Sequence, residues 1–128
     1  MKQYFGLGLA MLAGTAIGAA AVSGLHAQAK PPVYVIGEND VTNVDAYTKE
    51  FVPLARASIR NSGGKPLAAS QKVVALEGTA PSSRITINVF DSLEKAQAWR
   101  NGTEYKEARK IGDKYAKFRA YVVDGVPQ

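Results

Sequence analysis

Residues 84–90 read Arg-Ile-Thr-Ile-Asn-Val-Phe, and their strict alternation constrains the fold more than any other stretch of the chain. In extended backbone successive side chains point to opposite sides, so Ile85, Ile87 and Val89 share one face while Arg84, Thr86, Asn88 and Phe90 share the other. The segment is therefore expected to be a strand with two chemically different sides. Its neighbours complete the frame. Asp91 or Ser92 is placed to cap a helix carrying Leu93, Ala96 and Trp99, and Asn101-Gly102-Thr103 breaks that helix and starts another. In the second segment Tyr105, Ala108, Ile111, Gly112 and Tyr115 fall within about a third of the circumference at 3.6 residues per turn.

The remaining elements follow from the same signals. Val33–Glu38 is a β-branched and aromatic run behind Pro31-Pro32, which suits a strand. Thr42 followed by Asp45 approximates a capping box. Val44, Tyr47, Phe51, Leu54 and Ile59 recur at roughly helical spacing, Pro53 removes one backbone donor and predicts a kink, and Gly63-Gly64 predicts the stop. Lys65–Gly78 reads as extended chain with a bulge or break near Ser70-Gln71, and Phe118–Gly125 as a closing strand.

The first 29 residues have a different character. Lys2 is followed by no charged residue until Lys30, and the apolar run ends in Ala27-Gln28-Ala29, a small-x-small cleavage signal. This is the layout of a secretory signal peptide, and it predicts a mature chain from about Lys30. The run is also about long enough to span a bilayer core of roughly 30 Å, which keeps an uncleaved anchor as the alternative. Cleavage predicts no stable membrane insertion, export across an inner membrane and residence in a bacterial periplasm, with residues 30–128 as a single domain.

Cleavage also removes His26, Met1 and Met11, and the whole chain has 0 cysteines. A mature chain without His, Cys or Met has no Ser-His-Asp triad, no cysteine nucleophile, and none of the imidazole or sulfur ligands that zinc, copper or haem sites use. Neither a metal nor another cofactor is expected. The full chain carries +5, and 15 basic against 11 acidic residues leave +4 without Lys2. Interspersed acids and export argue against nucleic acid as the partner.

Strand, helix, strand, strand, helix, strand is the split βαβ or ferredoxin-like arrangement, an α+β fold with the helices on one face of an antiparallel sheet. The apolar set Val33, Val35, Ile85, Ile87, Val89, Phe118, Ala120 and Val122 is expected under the helices. The opposite face is then a mixture of Tyr34, Ile36, Glu38, Arg84, Thr86, Asn88, Phe90, Arg119, Tyr121 and Val123. Such a mixture is too apolar to stay solvated and too polar for a simple core. It predicts that two copies pair face to face as a dimeric α+β barrel, with polar residues around a cavity between the sheets.

The Tyr34–Glu38 strand, the Asp45-Ala46-Tyr47 helix start, Gly63-Gly64, Leu76-Glu77-Gly78 and the segment SLEKAQAWRNGTEYKEAR together resemble the family called domain of unknown function 1330 (DUF1330). The resemblance covers about Val33 to Gly125. It implies the dimeric α+β barrel group of ferredoxin-like folds and a homodimer, and it brings no established reaction. The wider group includes cofactor-independent monooxygenases, haem-degrading enzymes, isomerising enzymes and small-ligand binders. Its haem-degrading members rely on Asn, Trp and His, and the mature chain has no His.

The candidate ligand-binding residues are Tyr34, Glu38, Arg84, Asn88, Trp99, Tyr105 and Tyr121. Arg84 offers a pair for an anion, Tyr34 and Tyr121 offer hydroxyls and rings, and Asn88 can orient a carbonyl. Glu38 and Glu77 are the carboxylates placed to act as bases, since burial raises a carboxyl pKa. Against this, Arg84 and Glu38 are also placed to pair with charges across a dimer. Trp99 and Tyr105 are either core packing at the helix break or the wall of a pocket at the barrel mouth. The favoured function is a homodimeric module holding a small, partly apolar or anionic ligand, or serving structural contacts. The alternative is a cofactor-independent, monooxygenase-like enzyme acting on a phenol or quinol.

Overall fold

Pro31 and Pro32 lead into β1 (Val33–Val41), the first element of a computed structural model that describes residues 30–128. The predicted leader, residues 1–29, lies outside the described residues. After β1 come α1 (Val44–Ala46), a π-helical turn (Tyr47–Phe51), α2 (Val52–Asn61), β2 (Lys65–Ser70), β3 (Arg84–Phe90), α3 (Leu93–Asn101), α4 (Thr103–Gly112) and β4 (Ala116–Asp124). All four strands form one antiparallel sheet in the order β2-β3-β1-β4, with β1 central and the helices on one side. This is the expected βαββαβ order. Among the described residues no helix is long and apolar enough to cross a membrane.

The first helical segment departs from the expectation in an instructive way. Asn43, not Thr42, is the N-cap: its Oδ1 accepts from the Ala46 N–H at 3.1 Å, while the Thr42 hydroxyl donates to the Tyr115 carbonyl at 3.0 Å. Ahead of Pro53, which has no N–H to donate, the Val52 N–H bonds the Tyr47 carbonyl five residues back. That π-turn adds a residue and rotates the buried stripe. Tyr47 and Phe51 are buried at its two ends, and Ser58 and Ile59 after it, while Leu54, expected inward, is 44% exposed. Val44 is likewise half-exposed.

The helix stops where expected. Gly63 has φ +85°, and the Gly64 N–H bonds the Ile59 carbonyl at 2.9 Å, which closes the last turn. A side chain at Gly64 would stand 2.6 Å from the Phe90 ring, so this glycine also lets the turn close on the core. β2 ends at Ser70, with a bulge between Pro66 and Ala68, and residues 71–83 are irregular. Glu77, expected at a strand end, is exposed within that connection. Ser92 caps α3 by accepting from the Lys95 N–H at 3.2 Å.

Register overturns the expected facing of β3. Val33 lies opposite Phe90, Val35 opposite Asn88, Gly37 opposite Thr86 and Asn39 opposite Arg84. Directly opposed residues project to the same side, and Val33 and Val35 are buried under the helices. Thus Arg84, Thr86, Asn88 and Phe90 face the helices, while Ile85, Ile87 and Val89 face the open side with Tyr34, Ile36 and Glu38. The alternation is as read; the assignment of sides is reversed. Apolarity was a poor guide here because the helix-covered side holds a cavity lined by Arg84, Thr86 and Asn88, and Phe90 alone among the four plugs the core at 1% exposure.

Candidate functional site

A cavity of about 90 Å³ lies between the sheet and the helices of a single chain. The expected cavity, between two paired sheets, is therefore not the one the chain itself forms. Its floor is the helix-facing side of β1, β3 and β4, including Gly37, Asn39, Arg84, Thr86, Asn88 and Ala120. Gly37 has a steric reason to be there, since a Cβ would come within 2.3 Å of the Thr86 hydroxyl oxygen. The helices supply Tyr47, Phe51, Trp99 and Tyr105 as aromatic walls.

The walls are held by a packed aromatic cluster. Trp99 stands 4.4 Å from Tyr105 and 5.4 Å from Phe90, centroid to centroid, and Tyr47 stands 5.1 Å from Phe51. The Trp99 indole N–H does not reach a solvent rim: it donates to Ser58 Oγ at 3.0 Å, and that hydroxyl donates to the Ala55 carbonyl at 2.7 Å. Ser58 is fully buried. Trp99 thus packs in the core, its polar edge pinning α3 to α2, and its ring also lines the cavity within the chain. Tyr105, 7% exposed, lines the cavity from α4.

Polar groups on the floor differ in how far they are committed. Asn39 Nδ2 donates to the Tyr47 hydroxyl at 2.9 Å. Burial pushes the Tyr47 phenol above its ordinary pKa, partly offset by the Asn39 hydrogen bond and the positive charge of Arg84. Burial likewise raises Tyr105, against the charge of Arg109. Asn88 is 8% exposed, and its amide makes no side-chain hydrogen bond among the described residues. The Arg84 guanidinium carbon lies 5.5 Å from the Tyr47 ring centroid. Its Nε is buried with no hydrogen-bond partner.

Three further arginines line the cavity, Arg56, Arg100 and Arg109. Arg100 and Arg109 lie over the Tyr105 ring at 5.3 and 5.9 Å, and Arg109 stacks 3.9 Å from the Phe118 centroid. No acidic side chain lines the cavity. Its interior thus offers aromatic surface, two asparagine amides and a one-signed set of guanidinium donors.

The seven sequence-predicted residues do not form one site. Arg84, Asn88, Trp99 and Tyr105 meet in the cavity. Tyr34, Glu38 and Tyr121 lie on the opposite, open side of the sheet, as the β1–β4 register requires. There Glu38 Oε2 accepts from the Tyr121 hydroxyl at 3.0 Å and pairs with the Arg119 guanidinium. The Arg119 hydrogen bond, followed by that from Tyr121, holds the Glu38 carboxyl below its ordinary pKa. Glu38 is therefore an intrachain ion-pair partner, and its shift is opposite in sign to that of a buried general base. Arg84, in contrast, pairs with no carboxylate among the described residues.

Asn39, Tyr47 and Thr86 are cavity residues that site reasoning on the sequence missed. Asn39 had a legible signal, because it shares parity with Val33 and Val35 and is a polar residue on an otherwise buried side. The arginines were legible as neighbours of the aromatics, at Trp99-Arg100 and at Tyr105/Arg109 one helical turn apart.

This sheet order, with helices on one face and a cavity beneath them, defines a ferredoxin-like α+β protein. The chain belongs to the family described as "Domain of unknown function (DUF1330)", which matches residues 32–126. Among solved structures it is similar to a protein of unknown function from Rhodopseudomonas palustris, with 14% identity and TM-score 0.61, covering 84% of this chain and 92% of that one. It is also similar to SnoaB, a cofactor-independent oxygenase from Streptomyces nogalater, with 10% identity and TM-score 0.56, covering 77% of this chain and 96% of that one. At these identities the likeness is one of fold. No curated protein matches the chain.

Proposed function

We propose that the protein is an exported, periplasmic, homodimeric module that holds a small, partly apolar ligand in the cavity between its sheet and helices. The observation that carries this reading is the polar floor of β3: Arg84, Thr86 and Asn88 point under the helices, into a space walled by Tyr47, Trp99 and Tyr105. Placing three polar side chains where a core belongs is costly unless they are partnered, and a ligand supplies that partner. The homodimer is supported by the other side of the same sheet, where Ile85, Ile87 and Val89 join Tyr121 and Val123, which are 44% and 48% exposed. A second copy would cover that apolar surface. Thermal unfolding across a panel of small organic compounds tests the ligand, and sedimentation velocity across micromolar concentrations tests the dimer. A panel with no stabilising compound and a sedimentation coefficient fixed at that of one chain would refute the two parts separately.

A second reading, a cofactor-independent oxygenase acting on a phenol or quinol, is supported by the fold shared with SnoaB and by an uncommitted Asn88 amide beside aromatic walls. Oxygen uptake with phenols and quinols tests it. Turnover abolished in Asn88→Ala, with folding retained, would promote this reading over the binding one.

A further inference from the structure

The charge around the cavity is one-sided. Arg56, Arg84, Arg100 and Arg109 line it and no acidic residue does. Only Arg109 has a carboxylate partner: its guanidinium bonds Asp113 Oδ1 at 2.8 Å. Among the described residues Arg56, Arg84 and Arg100 form no ion pair. They differ in depth. Arg56 and Arg100 are exposed at the rim, whereas Arg84 sits on the floor beside Tyr47.

Arg84 is the informative member. Its Nε is buried without a hydrogen-bond acceptor, the single such side-chain atom among the described residues. A guanidinium cannot be neutralised by losing its proton, and Arg84 lines the cavity with no carboxylate partner among the described residues, so an anion in the cavity would match its charge. The planar guanidinium carries its other N–H donors on the two Nη atoms, whose fork matches the two oxygens of a planar carboxylate. Of the other arginines, Arg109 is paired with Asp113 and Arg56 and Arg100 stand exposed at the rim, so the interior carries one unpaired charge, and the rings of Phe51, Trp99 and Tyr105 offer surface for an organic body. A volume of about 90 Å³ limits that body to a single ring or a short chain.

We propose that the cavity binds a small monoanionic organic acid, its carboxylate on Arg84 and its apolar body against Trp99, with Arg56 and Arg100 drawing the anion in at the rim. This rests on the cavity being a ligand site, and it adds the chemical class. It also accounts for why β3 carries its arginine on the covered face, where no carboxylate of the described residues meets it.

Trp99 is the single tryptophan of the chain and lines the cavity, so its emission reports occupancy directly. The probes are cyclohexanecarboxylate, its neutral near-isostere cyclohexanecarboxamide, and inorganic phosphate, none of which absorbs where tryptophan is excited. The expected result on the unaltered protein is a saturable change with the carboxylate at least about tenfold tighter than with the amide, and no saturation by phosphate. Arg84→Gln, with its fold checked by circular dichroism, should erase the difference between acid and amide while leaving amide binding in place. Equal affinity for acid and amide in the unaltered protein would overturn the acid assignment and leave the ligand cavity standing. Phosphate binding as tightly as the carboxylate would overturn the organic-acid assignment in favour of a simple anion site. No response to any of a set of single-ring and short linear acids or their amides at millimolar concentration would overturn both this assignment and the ligand-binding reading. The acid-to-amide comparison needs no variant, so misfolding of Arg84→Gln does not obscure the outcome.

Discussion

The two sides of strand β3 carry opposite chemistries, and they are placed the unusual way round. Under the helices β3 presents Arg84, Thr86 and Asn88; towards the open side it presents Ile85, Ile87 and Val89. A sheet with one covered face ordinarily puts its apolar residues under the cover. Here the covered side has a polar-floored cavity and the open side an apolar surface with one tied ion pair, Glu38–Arg119. The difference teaches that alternation determines which residues travel together, while the register against a neighbouring strand determines where they go. It also separates two kinds of unmet demand, each the ground of a proposal: polar groups on the cavity floor, for which a ligand is proposed, and a partly exposed apolar surface, for which a second copy is proposed.

Substitutions on each side break or sharpen this contrast, and their effects on the stability of a single chain are expected to fall in the following order. Phe90 is the one residue of its face that fills the core, at 1% exposure beside Trp99. Phe90→Ala should cost about 3–5 kcal/mol in urea unfolding; a loss below about 1 kcal/mol would show that the covered side is not a core at that end.

Ser58→Ala removes the acceptor of the Trp99 indole N–H and should cost about 1–3 kcal/mol, because the donor stays buried. Combined with Trp99→Phe, it should cost less than the sum of the two, since the second change deletes the stranded donor. Strict additivity would mean that the Ser58–Trp99 bond does not couple α2 to α3.

On the open side, where Ile87 is partly buried in one chain, Ile87→Asp should cost the isolated chain about 1 kcal/mol, the Asp being a poor strand former. It should nevertheless abolish the concentration dependence of sedimentation. A large loss of monomer stability would instead place Ile87 in a core.

The smallest effect concerns pH. The Arg119 and Tyr121 hydrogen bonds lower the Glu38 pKa in the folded chain. Its contribution is therefore present above the ordinary carboxylate pKa and is lost as pH falls through the lowered folded value. Glu38→Gln should remove that contribution at neutral and alkaline pH, leave stability at strongly acid pH unchanged, and so flatten the acid limb of the profile. An unaltered acid limb would mean that the pair contributes nothing, as many exposed ion pairs do.

Much of the fold was legible because its signals are local. RITINVF announces a strand by alternation, Ser92 announces a helix start by its hydroxyl, and Gly63-Gly64 announces a stop. What was not legible depends on partners far along the chain. The π-turn at Tyr47–Phe51 shifts the buried stripe after it, and Leu54 lies outside the core while Ser58 and Ile59 are buried. The facing of β3 depends on whether Val35 meets Asn88 or its neighbour, and either choice preserves the alternation. Of the candidate site, Arg84, Asn88, Trp99 and Tyr105 were found for their chemistry but placed in a cavity between two sheets. The structure brings them together within one chain and leaves Tyr34, Glu38 and Tyr121 on the other side.

Both unmet demands are read together by native mass spectrometry of the protein purified gently from the cells that make it. The account predicts an assembly of two chains carrying a small added mass that is released on unfolding and that ionises as an organic acid. A single chain free of added mass, at concentrations where the apolar face would be covered, would contradict it.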